Sequence, residues 1–128
     1  MTETEKITIN ISPVDLGKID LLVEQGFYSN RTDFIRSAIR RQLDGHEDTV
    51  QETVRRQSFA LGILIYDRGD LTRRRERGER LSIYIIGMLT IANDVSPELA
   101  RETIEAIKIH GVFNASPEVR DALADRMS

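Results

Sequence analysis

Lys6, Thr8 and Asn10 occupy alternate positions of the hexapeptide Lys6-Ile7-Thr8-Ile9-Asn10-Ile11, which places a cation, a hydroxyl and an amide between isoleucines. Successive side chains of a strand point to opposite faces, so this alternation puts the three polar groups on one face and Ile7, Ile9 and Ile11 on the other. Ammonium, hydroxyl and carboxamide groups can hydrogen-bond to base edges, and a DNA major groove is wide enough to admit a two-stranded ribbon. A single strand leaves its backbone groups without partners. Nothing else in the first 45 residues reads as a strand. The expected partner is therefore the same strand of a second copy, antiparallel across a two-fold axis, in an obligate homodimer.

Two helices must position that strand. Ser12-Pro13-Val14-Asp15 reads as a helix start, with a capping hydroxyl, a proline at the first helical position and a carboxylate in the positive first turn. Leu16, Ile19, Leu22 and Val23 recur at helical spacing, and Gly26 is placed to end the helix in a left-handed cap. A second start follows at Asn30-Arg31-Thr32-Asp33. Phe34, Ile35, Ala38, Ile39 and Leu43 line one side of that helix, while Arg36, Arg40, Arg41 and Gln42 fall mainly on the rest, and Asp44-Gly45 closes it.

Taken in this order, Ile-Thr-Ile-Asn-Ile-Ser, an amphipathic helix, and then Gly26-Phe27-Tyr28-Ser29-Asn30-Arg31-Thr32-Asp33-Phe34-Ile35-Arg36 with Ala38-Ile39, the chain resembles the ribbon-helix-helix DNA-binding proteins, in the branch around the CopG, Arc and MetJ repressors. The nickel-responsive repressors carry a similar Tyr-Ser-x-Arg-Ser-Glu-x-Ile-Arg stretch, in which Thr32 and Asp33 here replace Ser and Glu. The resemblance covers residues 5–45. It implies that the outward side chains Lys6, Thr8 and Asn10 read bases in double-stranded DNA, six of them from the two strands of a dimer. It implies further that Ser29, Asn30, Arg31 and Thr32, at the start of the second helix, hold the DNA backbone. A helix N-terminus is an anion site on physical grounds as well, because its unpaired N–H groups and dipole favour negative charge. Phosphate contacts set the register, and base contacts carry the sequence information.

The composition bounds the alternatives. The chain has 128 residues and no cysteine, which excludes disulfides and thiolate metal sites. No apolar run approaches a membrane span, and the acidic N-terminus is unlike a signal peptide, so a cytoplasmic location is expected. The net charge is −3, and residues 1–45 hold six Lys or Arg against seven Asp or Glu. DNA binding would then depend on where the positive groups are placed, since it needs a local positive face and not a basic whole.

Residues 46–57 read as a charged helical connector. Phe59 to Tyr66 is an apolar run that reads as a buried strand, with a helix left open by its Ala and Leu. Asp67-Arg68-Gly69-Asp70 reads as a turn. Leu81 to Ala92 reads as one long bent strand or two short ones, with Gly87 near the middle. Ser96-Pro97-Glu98 starts a helix carrying Leu99, Ile104 and Ile107. Ile107 to Phe113 can be a strand broken by Gly111, and Ser116-Pro117-Glu118 starts a last helix with Val119, Leu123 and Met127. Gly87-Met88-Leu89 leading to Ser-Pro-Glu-Leu echoes Gly111-Val112-Phe113 leading to Ser-Pro-Glu-Val, which is either a duplicated strand–helix unit or chance.

The expected fold class is α+β: an N-terminal ribbon-helix-helix over residues 1–45, a connector over 46–57, and a C-terminal α/β unit over 58–128 that oligomerises or senses a ligand. The stretch from Gly62 to Asp67, with Asp70-Leu71, has a slight similarity to the sensor domain of the nickel-responsive repressors. The implied ligands do not follow, because His46 and His110 are the only histidines. Neither a nickel response nor any other metal or cofactor is expected. Arg73 to Arg80 holds five Arg against two Glu, which suits a further DNA-backbone or anion contact, or simply a solvated segment. No nucleophile–base pairing or phosphate-cradling glycine loop suggests an enzyme.

The function expected is a sequence-specific DNA-binding transcriptional regulator acting as a repressor, as a homodimer or as two dimers joined through the C-terminal half into a homotetramer. The alternatives are the antitoxin of a toxin–antitoxin pair, which would carry a disordered inhibitory tail, and an assembly protein acting through its C-terminal half.

Overall fold

The structure, a computed structural model, describes residues 4–128. Two compact units divide the chain within its third helix, one ending at Glu52 and the other beginning at Thr53.

In the first unit, residues 4–12 form no regular secondary structure in the single chain. Helix α1 spans Pro13–Glu24, and Ser12 Oγ accepts the N–H of Asp15 at 3.1 Å, so the cap read from the sequence is formed. The helix ends at Gly26 with φ of +87°. The N–H of Gly26 bonds to the Val23 carbonyl and that of Phe27 to the Leu22 carbonyl, each at 3.0 Å, the pair of bonds that closes a helix on a left-handed residue. Helix α2 spans Arg31–Asp44 behind an Asn30 cap, and α3 spans Glu47–Gln57.

The second unit is a three-stranded parallel sheet with helices between its strands. β1 is Ala60–Tyr66, α4 is Arg68–Glu76, β2 is Leu81–Ile91, α5 is Pro97–Thr103, β3 is Ile104–Asn114 and α6 is Pro117–Leu123, followed by a 3-10 turn at Ala124–Arg126. The strands lie in sequence order, β1-β2-β3, all parallel. One face of the sheet carries Leu64, Tyr66, Ile83, Ile85, Leu89, Ile91, Ile107 and Phe113. The helices close over that face with Leu71, Leu99, Ala100, Val119 and Leu123, and together these residues make one aliphatic core.

The register reveals a three-fold repeat. Gly62 pairs with Gly87 and Gly87 with Gly111, so three glycines form a column straight across the sheet. Their φ angles are +134°, +140° and +132°, a backbone that L side chains rarely adopt. A Cβ on Gly87 would overlap the carbonyl of Gly62, and one on Gly111 would overlap the carbonyl of Gly87. After each glycine the chain finishes its strand and enters a capped helix: Asp67 Oδ1 accepts from Asp70 N–H, Ser96 Oγ from Leu99 N–H, and Ser116 Oγ from Val119 N–H. The echo seen in the sequence is thus a structural repeat with a third, earlier copy.

Four expectations are corrected. Asp67 to Asp70 is no free turn; it is a reciprocal capping box that opens α4, because Asp70 Oδ2 also accepts the N–H of Asp67. Ile104 and Ile107 belong to β3 and not to α5, since the helix stops at Thr103. Gly111 does not break β3, because its positive φ lets the strand pass its neighbour's carbonyl. β1 is covered on one face only, and its Leu61, Ile63 and Ile65 lie exposed.

Candidate nucleic-acid interface

The polar row of the N-terminal segment, Lys6, Thr8 and Asn10, is exposed along its length. So is the apolar row, with Ile7, Ile9 and Ile11 at 73, 65 and 43% of their full accessibility. Neither row is buried in the single chain. The deficit extends to the helices. Ile19 is the one buried hydrophobic residue of α1, α2 has none, and Val14, Leu21, Ile35, Ile39 and Leu43 stand exposed. Thr4 and Glu5 line a groove with Arg36, Ile39, Arg40 and Leu43 of α2, so the segment's start lies beside the apolar side of that helix.

The start of α2 is built more firmly. Asn30 Oδ1 accepts the N–H of Asp33 at 2.8 Å, and Asp33 Oδ2 accepts the N–H of Ser29 at 2.9 Å. Tyr28 and Phe34 brace the turn with an edge-to-face ring contact, centroids 5.0 Å apart. These bonds satisfy Ser29 and Asp33 and leave the N–H groups of Arg31 and Thr32 without an acceptor among the described residues. Two free N–H groups at a helix start, beside the side chains of Ser29, Asn30 and Thr32, can bind a phosphate oxygen.

Arg31 is held from one side. Its Nε and Nη2 donate to the two carboxylate oxygens of Asp20 on α1, each at 2.8 Å. The guanidinium holds the Asp20 carboxyl below the ordinary aspartate range, mainly through this hydrogen bonding, and Asp20 in turn raises the pKa of Arg31. A guanidinium has five N–H donors, so the Nη1 end stays available for a second acceptor in a fixed direction. Sequence reasoning missed Asp20. Its pairing depends on how the two helices cross, which no local spacing encodes.

The structure therefore brings Ser29, Asn30, Arg31 and Thr32 together at one helix end, and it does not gather Lys6, Thr8 and Asn10 into a strand face. The arginine run is largely engaged within the C-terminal unit. Arg73 pairs with Asp70 at 2.6 Å, Arg74 with Glu79 at 3.6 Å and Arg75 with Glu102 at 3.3 Å, and the Arg74 guanidinium also lies over the Tyr66 ring. The ring of His110 packs against Phe59, centroids 5.4 Å apart. No helix among the described residues is long and apolar enough to cross a membrane.

The N-terminal unit thus presents a short exposed segment, two capped helices joined by a glycine-ended turn, and a helix start with free N–H groups. The model of the Ribbon-Helix-Helix transcriptional regulator family matches residues 2–120, and the chain belongs to that family. The match runs well beyond residues 5–45, where the recognisable motifs lie, and takes in most of the C-terminal unit. The chain is also 36% identical to the transcriptional regulator CdrS of Halobacterium salinarum over 44 residues, 34% of this chain and 80% of that protein. No solved structure matches.

Proposed function

We propose that this protein is a sequence-specific transcriptional repressor that inserts a two-stranded antiparallel ribbon, one strand from each protomer of a homodimer, into the major groove of DNA. Lys6, Thr8 and Asn10 are its base-reading side chains. Ser29, Asn30 and Thr32, with the N–H groups of Arg31 and Thr32 and the free end of the Arg31 guanidinium, hold the flanking phosphates.

The observation that carries this reading is the state of residues 4–12. From Lys6 onward they hold an unbroken polar–apolar alternation, yet form no strand and bury neither row. Pairing with a second copy explains both facts. It supplies the missing backbone partners and lets Ile7, Ile9 and Ile11 cover the exposed apolar side of the helices while the polar row faces outward. The C-terminal unit joins dimers into a tetramer, which would seat two heads on adjacent half-sites at high effective concentration. An ordered aliphatic core running from Leu71 to Leu123 supports this over a disordered inhibitory tail.

The test is to substitute Lys6, Thr8 and Asn10 with Ala and compare binding to operator and random DNA. The reading requires the preference for operator to disappear while weak binding to any duplex remains.

A further inference from the structure

The glycine-column sheet is closed at one edge and open at the other. At β3, the chain returns on itself: Met127 forms a parallel bridge with Ile107, and the Ser128 N–H bonds to the Ile107 carbonyl at 3.0 Å. At β1 nothing comparable happens among the described residues. This strand has a neighbour on one side only, and its Leu61, Ile63 and Ile65 are 54, 49 and 63% exposed. Soluble proteins guard an edge strand with lysines, prolines or covering chain. Residues 57–66 contain no charge and no proline. Stacked strand–helix repeats also need polar terminal faces to stay soluble, and the β1 end lacks one.

We infer that the open edge of β1 is a joint between two copies of this chain, formed by β1 pairing antiparallel with the same strand of the partner about a two-fold axis at Ile63. This deepens the reading that the C-terminal half joins copies of the chain, and supplies the surface. An uncharged strand is best matched by an uncharged one, and β1 is complementary to itself in this register. Ile63 meets the partner's Ile63, and Leu61 meets the partner's Ile65, so the open face becomes one continuous apolar strip. On the core side, Gly62 falls opposite the partner's Leu64, and Ala60 opposite the partner's Tyr66, so each large side chain meets a small one. In the basic shoulder beside this edge, Arg73 is paired with Asp70 and Arg74 with Glu79, which leaves Arg77 as its one cation without an ion pair among the described residues. An antiparallel junction in an otherwise parallel sheet is a common arrangement.

The chain has no cysteine, so a single introduced one reports its own neighbourhood. Directly opposite residues of an antiparallel pair lie about 4.5–5.5 Å apart between Cα atoms, within disulfide reach. Full-length Ile63→Cys should crosslink to a covalent dimer under mild oxidation at low micromolar concentration, at least tenfold faster than Leu61→Cys. The latter is equally exposed, but its two copies would lie roughly 13 Å apart along the strands. A mixture of Leu61→Cys and Ile65→Cys chains should give the mixed crosslink. Equal rates for Ile63→Cys and Leu61→Cys, or no crosslink from Ile63→Cys with unchanged circular dichroism, would overturn the joint. Operator binding by the same variants, kept reduced, separates the two readings. Binding without the crosslink rejects the joint and leaves the regulator standing. A crosslink without binding supports the joint and rejects the regulator.

Discussion

Arg31 and Asp20, eleven residues apart, meet through two parallel hydrogen bonds of 2.8 Å and tie the start of α2 to the outer side of α1. The pair fixes the helix end that would face a phosphate. Asp20 titrates below its ordinary range because the guanidinium donates to its charged form, so the tie is complete above the unfolded aspartate pKa and is lost as pH falls through the lower, folded value. Both side chains are exposed, so the stability at stake is small. The expected readout is geometric: the side-chain Nε–H resonance of Arg31, which donates to Asp20, should move at acidic pH in the native protein and lose that transition in an Asp20→Asn variant.

The glycine column makes a graded prediction. Gly87→Ala and Gly111→Ala each force a side chain into a neighbouring carbonyl at a strongly positive φ, and the C-terminal unit should lose its cooperative thermal transition. Gly62 has the same backbone, but nothing lies within 4 Å of its Cβ direction because β1 is the edge. Within one chain, Gly62→Ala should therefore cost the conformational strain, about 1–3 kcal/mol, and more if a second strand is paired at that edge. Denaturant midpoints for the three variants check the order.

Leu71 is fully buried and is the core contribution of α4. Leu71→Ala should destabilise the C-terminal unit by about 2–5 kcal/mol through reduced burial and a residual cavity. Urea unfolding measures this directly. Operator affinity per head should change little if the head folds on its own dimer.

Much of this architecture could be read from local chemistry. Ser12, Asn30, Ser96 and Ser116 announce their helices because a capping side chain acts on a backbone three residues away, within a sequence window. Gly26 announces the turn for the same reason. What stayed hidden was non-local. The third repeat opens its helix with Asp67-Arg68-Gly69-Asp70 and not Ser-Pro-Glu, so its capping box has the sequence signature of a turn. Ile104 and Ile107 continue a helical spacing by coincidence, and only pairing with β2 shows them to be strand. The Arg31–Asp20 tie and the glycine column both depend on which elements lie side by side.

The base-reading and phosphate-holding groups proposed for the head should separate under mutation. Removing one base-reading group, as in Asn10→Ala, should cost about 1–3 kcal/mol on operator DNA and little on random DNA. Arg31→Ala should weaken both and lower the slope of log affinity against log salt by about 1 for each phosphate that is no longer neutralised. Titrations on the two duplexes over a salt series distinguish the patterns.

A paired N-terminal ribbon that reads DNA is the centre of the proposed mechanism. Fluorescence anisotropy of full-length protein with DNA from upstream of its own gene, over a salt series and beside the Lys6→Ala, Thr8→Ala, Asn10→Ala triple variant, tests it most directly. Tight, sequence-dependent binding by the native chain is expected, with a fall to the nonspecific level in the variant. Equal affinity of the two proteins for that DNA at every salt concentration would contradict it.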